Sequence, residues 1–176
     1  MNLPPLITQD EIQKRVRELA AEIRKDCAEK EPVFVGILNG CFPFLSDLIR
    51  HMNMDCSIDF IRVRSYGAAT ETSGVVEITA DLSRPIVGKD VIIIEDIVDT
   101  GLTMSYLLEN LKTRRPGSLK VCSLLDKPAR RLVEVKVDYI GFPIPDQFVI
   151  GYGLDYDEKY RNLPYIAVYE DERPDL

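Results

Sequence analysis

Apolar residues along the chain recur at two spacings, and the switching between them predicts alternating strands and helices. Val91-Ile92-Ile93-Ile94 is apolar without a polar interruption, the pattern of a strand buried on both faces of a parallel sheet. Leu102, Tyr106, Leu107 and Leu111 follow at helical spacing. Upstream, Thr8 with Glu11 three residues on predicts a capping box. The helix it opens carries one apolar face, Ile12, Val16, Leu19, Ala20 and Ile23, and is expected to run until Pro32 ends it. Val33 to Leu38 predicts a second buried strand, Asn39-Gly40 a turn, and Phe42 to Met52 a helix with Phe44, Leu45, Leu48 and Ile49 inward. Met54 to Arg64 alternates apolar and polar and predicts a strand, with Val75 to Ala80 returning beside it. The small, polar residues between them are expected to form a lid or a structureless tip. Leu119 to Leu125, Val135 to Phe142 and Tyr165 to Tyr169 predict three further strands. The alternation predicts an α/β fold with a mainly parallel central sheet flanked by helices.

Composition narrows the class. A chain of 176 residues, 45% hydrophobic and 29% charged, suits a single soluble domain with a substantial core. No apolar run approaches the ~20 residues that span a bilayer, so no membrane partner is expected. Met1-Asn2-Leu3-Pro4-Pro5 lacks a basic region followed by an apolar one, so no signal peptide is expected. Cys27, Cys41, Cys56 and Cys122 are scattered, which points to free thiols and a cytoplasmic protein. The formal net charge of −7 argues against nucleic-acid binding. It leaves room for a small polyanion, because local cations or a divalent metal reverse the field in one cleft.

The chemistry gathers after the buried strand. Three carboxylates, Glu95, Asp96 and Asp99, arrive within five residues and are followed by Thr100-Gly101-Leu102-Thr103. A buried strand that ends in acids and turns into a helix start is where an open α/β sheet binds its ligand, and the first N–H groups of the helix favour an anion. Spacing leaves alternatives open: Asp99 as a base or as the helix N-cap, and Thr100 to Thr103 as a phosphate loop or an ordinary turn. It likewise leaves Glu95 and Asp96 as ligands or as solvated acids, and Lys127, at a strand end before Pro128, as a ligand donor or a solvated lysine. Arg131 lies in a basic run that also suits a solvated face. His51, the only histidine, reads as surface beside Arg50.

The segment Glu95-Asp96-Ile97-Val98-Asp99-Thr100-Gly101-Leu102-Thr103 resembles the phosphoribosyl-diphosphate signature of the type I phosphoribosyltransferases. Ser65-Tyr66-Gly67, Leu124-Leu125-Asp126-Lys127 and the stretch from Val149 to Tyr156 with Arg161 extend the likeness. With them the chain is similar to the hypoxanthine (hypoxanthine-guanine) branch of that family. The resemblance implies a single phosphoribosyltransferase domain over residues 1–176, with a small hood and a flexible lid hairpin near 65–75. It implies a purine-salvage reaction: magnesium-dependent transfer of the phosphoribosyl group from phosphoribosyl diphosphate to hypoxanthine, with guanine, releasing pyrophosphate. By the same resemblance Asp99 is the general base, and Glu95 and Asp96 meet the ribose and Mg2+, with Asp155 a further metal contact. Thr100, Gly101, Leu102 and Thr103 hold the 5′-phosphate; Asn39, Gly40, Arg161 and Arg131 meet the diphosphate. Lys127, Phe148, Val149 and Asp155 take the purine, although periodicity alone also suits Phe148 to the core. Ser65 and Tyr66 belong to the lid. A homodimer or homotetramer is implied as well. One departure stands out: in Leu38-Asn39-Gly40 the middle position, often Lys or Arg in the family, is Asn39, and the Leu38–Asn39 bond is of a kind often cis there. The rival readings are transfer to another base, xanthine or a pyrimidine, and a non-catalytic nucleotide- or RNA-binding member of the fold.

Overall fold

The apolar run Val91 to Ile94 lies at the centre of the protein because both of its faces are covered. The computed structural model describes residues 3–68 and 71–170, apart from the side chains of 66–74. In chain order the elements are β1 (Pro5–Ile7), α1 (Gln9–Asp26), β2 (Val33–Leu38), α2 (Phe42–Arg50), β3 (Ser57–Ala68) and β4 (Glu71–Ala80). There follow β5 (Asp90–Val98), α3 (Leu102–Lys112), β6 (Ser118–Asp126), β7 (Tyr139–Pro143), β8 (Val149–Ile150) and β9 (Ile166–Val168), with a 3-10 turn at Pro128–Arg130.

Six strands form one sheet in the order β4-β3-β2-β5-β6-β7. All neighbours in it run parallel except β4, which pairs antiparallel with β3 at one edge. The period of two along β5 sorts its side chains. Ile92 and Ile94 meet Phe34 and the helix residues Ile12, Leu19, Ile23, Phe44 and Leu48 on the α1–α2 face. Val91 and Ile93 meet Val35, Val121 and the α3 residues Met104, Leu107 and Leu111 on the other. β1, β9 and β8 make a separate three-stranded antiparallel sheet, the hood. Among the described residues no helix is long and apolar enough to cross a membrane.

The capping box is present as expected: the Glu11 amide donates to Thr8 Oγ1 at 3.3 Å and the Thr8 amide to Glu11 Oε2 at 2.8 Å. The helix stops at Asp26 rather than at Pro32. A turn intervenes, closed by the Lys30 amide on the Cys27 carbonyl at 3.0 Å, with Glu29 at φ 63°. β7 starts at Tyr139 rather than at Val135. Val135 and Val137 still pack against the α3-side core, so their alternation reflects burial without a ladder. The hairpin strands run further than their apolar pattern, to Ala68 and from Glu71, with Ser65 opposite Val76. Cross-strand pairing carries the edge hairpin beyond its apolar positions, and hydropathy does not record it.

Candidate active site

The parallel strands β2, β3 and β5 deliver their C-terminal halves to one cavity of about 410 Å³. Its walls include Leu38 and Gly40 from the β2 end, Val63 and Ser65 from β3, Glu95 and Asp96 from β5, and Asp99 just past the end of β5. Gly101, Thr103 and Met104 come from the start of α3, and Asp155 from the segment after β8. Four acids in one cavity need a compensating cation or a proton.

Glu95 and Asp96 are the last inward-facing acids of the strand itself, which continues to Val98. Burial pushes the Glu95 carboxyl well above its ordinary range, and the neighbouring Asp96 charge adds to the effect. Burial raises Asp96 too, against the hydrogen bond with Glu95, the Ile97 amide on its Oδ1 at 2.8 Å, and the field of Arg161. For this pair burial favours the neutral form, most strongly at Glu95. The buried Glu95 and the half-buried Asp96 are hard-oxygen donors that fit a magnesium ion, which would neutralise charge at this wall. Among the described residues no group of three or more His, Cys, Asp or Glu side chains comes together as a metal cage. Asp155, the further metal contact that the resemblance implies, lines the same cavity. Asp155 Oδ1 is held by Arg161 Nη2 at 3.0 Å and its Oδ2 accepts the Glu158 amide at 2.9 Å.

Asp99 is not the helix N-cap. That position belongs to Gly101, at φ 84°, where a Cβ would meet the Val133 carbonyl oxygen and the Arg131 stem. A left-handed residue pressed against backbone leaves room only for glycine. Asp99 Oδ1 accepts the Thr100 amide at 2.6 Å, which fixes the carboxylate at the cavity wall. Thr100 Oγ1 accepts the Leu102 amide at 3.4 Å, and the Thr100 carbonyl accepts the Leu132 and Val133 amides at 2.9 and 3.1 Å. Ser65 Oγ lies 3.4 Å from Thr103 Oγ1, so the hairpin already touches the loop at the helix start. The Tyr66 backbone is in β3; its side chain lies outside the described residues.

Lys127 is 5% exposed, so it is no solvated lysine. Its amide donates to the Val98 carbonyl at 2.9 Å, tying it to the end of β5. Burial pulls its amine below the usual lysine range, while the Asp146 and Asp99 carboxylates pull it back up. Phe148 is 51% exposed, which removes it from the core. Its ring stands edge-on to Tyr156 and Tyr169, at centroid distances of 5.9 and 6.1 Å. Val149 beneath it is buried in β8. Phe148 thus presents a braced aromatic face.

The two expected diphosphate arginines differ. Arg161 combines the Asp155 pair with a hydrogen bond to the Gly153 carbonyl at 2.7 Å. Arg131 pairs with Asp126 and packs its stem on Gly101, facing Asp126 rather than the cavity. The Leu38–Asn39 peptide is cis. Asn39 Oδ1 accepts a hydrogen bond from Arg62 Nη2 at 2.8 Å. Arg62 drew no attention in the sequence as a site residue. The signal was present in its register, since it stands opposite Leu38 at the end of the β2–β3 ladder.

A family model described as the phosphoribosyl transferase domain matches residues 8–157. The hypoxanthine-guanine phosphoribosyltransferase of Bacillus subtilis (strain 168) is 50% identical over 163 residues, 93% of this chain and 91% of that protein. The enzyme of the same name from Streptococcus pneumoniae (strain ATCC BAA-255 / R6) is 46% identical over 167 residues, 95% of this chain and 93% of its own. The crystal structure of a Staphylococcus aureus hypoxanthine phosphoribosyltransferase superposes with a TM-score of 0.91 at 48% identity, covering 95% of this chain and 91% of that one. A Bacillus anthracis hypoxanthine-guanine phosphoribosyltransferase, with a HEPES molecule in the active site, gives 0.92 at 46% identity, covering 96% and 100%.

Proposed function

The chain belongs to the phosphoribosyl transferase domain family, and from that premise we propose that it serves purine salvage. It transfers the 5-phosphoribosyl group of phosphoribosyl diphosphate to hypoxanthine or guanine and releases pyrophosphate. The observation that carries the acceptor is the buried Lys127, tied to the end of the strand that Asp99 follows and raised by the field of that carboxylate. One cation for a ring carbonyl and one carboxylate for a ring N–H are the two handles a 6-oxopurine offers.

In this reading the bond from the ribose anomeric carbon to the diphosphate oxygen breaks, and the electron pair leaves with pyrophosphate. The carbon passes through an oxocarbenium-like state and bonds to the imidazole nitrogen of the purine. Asp99 takes the proton of that nitrogen; a positioned base contributes about 10²–10⁴-fold. Lys127 donates to the purine carbonyl oxygen, and Phe148 stacks on the base above Val149. Thr100, Gly101, Leu102 and Thr103 hold the 5′-phosphate at the start of α3. Glu95 and Asp96 orient the ribose hydroxyls and hold Mg2+, which when bound neutralises diphosphate oxygens. Asp155 with Arg161, and the amides of Asn39 and Gly40, form the diphosphate end. The lid at 65–75 lies in part outside the described residues; its role in this reading is to exclude water from the cation-like centre, and the Ser65–Thr103 approach supports it. The reading includes a single catalytic domain and a homodimer or homotetramer.

The test is a steady-state assay with phosphoribosyl diphosphate, magnesium and a panel of bases. Hypoxanthine and guanine are expected to yield IMP and GMP, and adenine and orotate to yield nothing. Absence of turnover with every oxopurine overturns the reading.

A further inference from the structure

The cavity's charge is one-sided. Its lining contains Glu95, Asp96, Asp99 and Asp155, in a chain of net charge −7. The arginines nearest its diphosphate end are mostly spent on carboxylates: Arg161 on Asp155 and Glu158, and Arg131 on Asp126. Arg62 is different. Among the described residues the partner its guanidinium has is neutral, the side-chain oxygen of Asn39 at 2.8 Å. A guanidinium on an amide oxygen keeps its full charge for a ligand, where one on a carboxylate does not.

Its place follows from the fold. β2 and β3 pair in parallel from Val33 and Ser57 onward, and the last pair is Leu38 with Arg62. Arg62 therefore stands beside the peptide that begins the 38–40 loop. On the same strand Val63 and Ser65 line the cavity, so Arg62, at the alternate position, turns to the other face and reaches the loop from its outer side. From there it holds the Asn39 side chain, while Gly40 is pressed onto the Asp96 carboxylate from within. The loop is clamped between a cation outside and an acid inside.

We propose that Arg62 is the positioning residue of the diphosphate loop: through Asn39 it fixes the loop amides, and its uncompensated charge favours the donor diphosphate and the pyrophosphate product over the purine. This rests on the phosphoribosyltransferase reading. Arg62 supplies from β3 a cation that the loop, with asparagine at position 39, does not carry itself. A charge acting at roughly 6–8 Å through a medium of effective dielectric ~20 alters the affinity of a multiply charged anion several-fold, and the effect shrinks as salt shortens the screening length to ~8–10 Å.

Arg62→Gln, Arg62→Lys and Arg62→Gln/Asn39→Lys separate the two parts of the role. Glutamine keeps an N–H donor for Asn39 but no charge, lysine keeps the charge, and Asn39→Lys moves the charge into the loop. The expected result is that Arg62→Gln raises KM for phosphoribosyl diphosphate and Kd for magnesium pyrophosphate about five- to tenfold. KM for hypoxanthine and the melting temperature should stay put, and the loss should narrow at high salt. Arg62→Lys is expected to stay within about twofold, and the double variant to regain most of the loss. Equal affinities for pyrophosphate in Arg62→Gln and the parent protein overturn the proposal. So does a loss shared by both substrates and accompanied by a lower melting temperature. Pyrophosphate binding is read by calorimetry without turnover, so a failure of the acceptor reading in the base panel is distinguishable from a failure here.

Discussion

The Asp96 carboxylate occupies the space where a side chain on residue 40 would begin. A Cβ built on Gly40 falls within bonding range of Asp96 Oδ2, so the β2 loop can lie on the β5 acids only with glycine there. Gly40→Ala forces Asp96 to rotate or the loop to lift. Since the loop is proposed to hold diphosphate and Asp96 the metal, either movement spoils donor binding. KM for phosphoribosyl diphosphate is expected to rise at least about tenfold, equivalent to the ~1–3 kcal/mol of an overpacked contact. KM for hypoxanthine should change little. Initial-rate kinetics with each substrate varied separately checks both.

The acid pair sets a pH dependence. The Glu95 carboxyl lies well above its ordinary value of 4.5, chiefly through burial. A carboxyl whose pKa is higher folded than unfolded binds more protons in the folded state, so its contribution is full below the unfolded value and is lost as pH rises toward the folded one. Thermal stability of the unliganded protein is thus expected to decline as pH rises above about 5. Glu95→Gln removes the ionisation and should flatten that slope, raising the melting temperature at neutral pH by about 2–4 °C for each kcal/mol recovered. Melting curves between pH 5 and 8, with and without magnesium, read the effect. An unchanged slope in Glu95→Gln excludes Glu95 as its source.

How much of this was legible beforehand depends on what each residue's neighbours are. β2 was read to the residue, because a strand covered on both faces shows an unbroken apolar run. The acids were placed at the site because they follow such a run. Residues whose role depends on partners distant in sequence stayed hidden. Arg62 reads as an ordinary polar position of an alternating strand, and only the parallel register brings it to Asn39. β1 is three residues long and pairs with β9 from the far end of the chain, so no local pattern announces it. The run at Val135 and Val137 misled for the opposite reason: burial gave it the period of a strand without the hydrogen bonds of one.

Asp99 is held by the Thr100 amide and faces the cavity while Gly101 caps the helix. Asp99→Asn keeps size and shape, so the loop and the helix start should survive. The expected outcome is a fall in kcat of about 10²–10³-fold with donor affinity within about threefold. Rapid-quench turnover and calorimetry with phosphoribosyl diphosphate separate the two. An unaltered kcat removes Asp99 as the base.

Lys127 is buried, and its charge is sustained by Asp146 and Asp99. A hydrogen bond from a charged donor contributes ~1.5–3 kcal/mol. Lys127→Ala is therefore expected to raise KM for hypoxanthine about 10–150-fold and to leave KM for phosphoribosyl diphosphate near its original value. Discrimination against adenine should fall in parallel. Competition assays with paired bases measure it, and unaltered selectivity would assign carbonyl recognition to another group.

Arg131 offers the sharpest contrast between supporting a loop and binding a ligand. It pairs with Asp126, itself only 7% exposed, and its stem lies on Gly101. Among the described residues its Nη1 is buried without a hydrogen-bond partner, so part of the guanidinium is unsatisfied. Removing one member of a buried pair strands the other charge and costs about 3–5 kcal/mol. The orphaned nitrogen puts the cost of Arg131→Ala near the lower end, a melting temperature drop of roughly 6–12 °C. Arg131→Ala/Asp126→Asn has no stranded carboxylate and should recover much of that drop. If Arg131 acts by bracing the loop, KM for phosphoribosyl diphosphate recovers together with stability in the double variant. If it contacts diphosphate directly, stability returns while KM stays high. Thermal melts and donor kinetics on the same three proteins decide between these, and the Asp126 pairing leads us to expect the joint recovery.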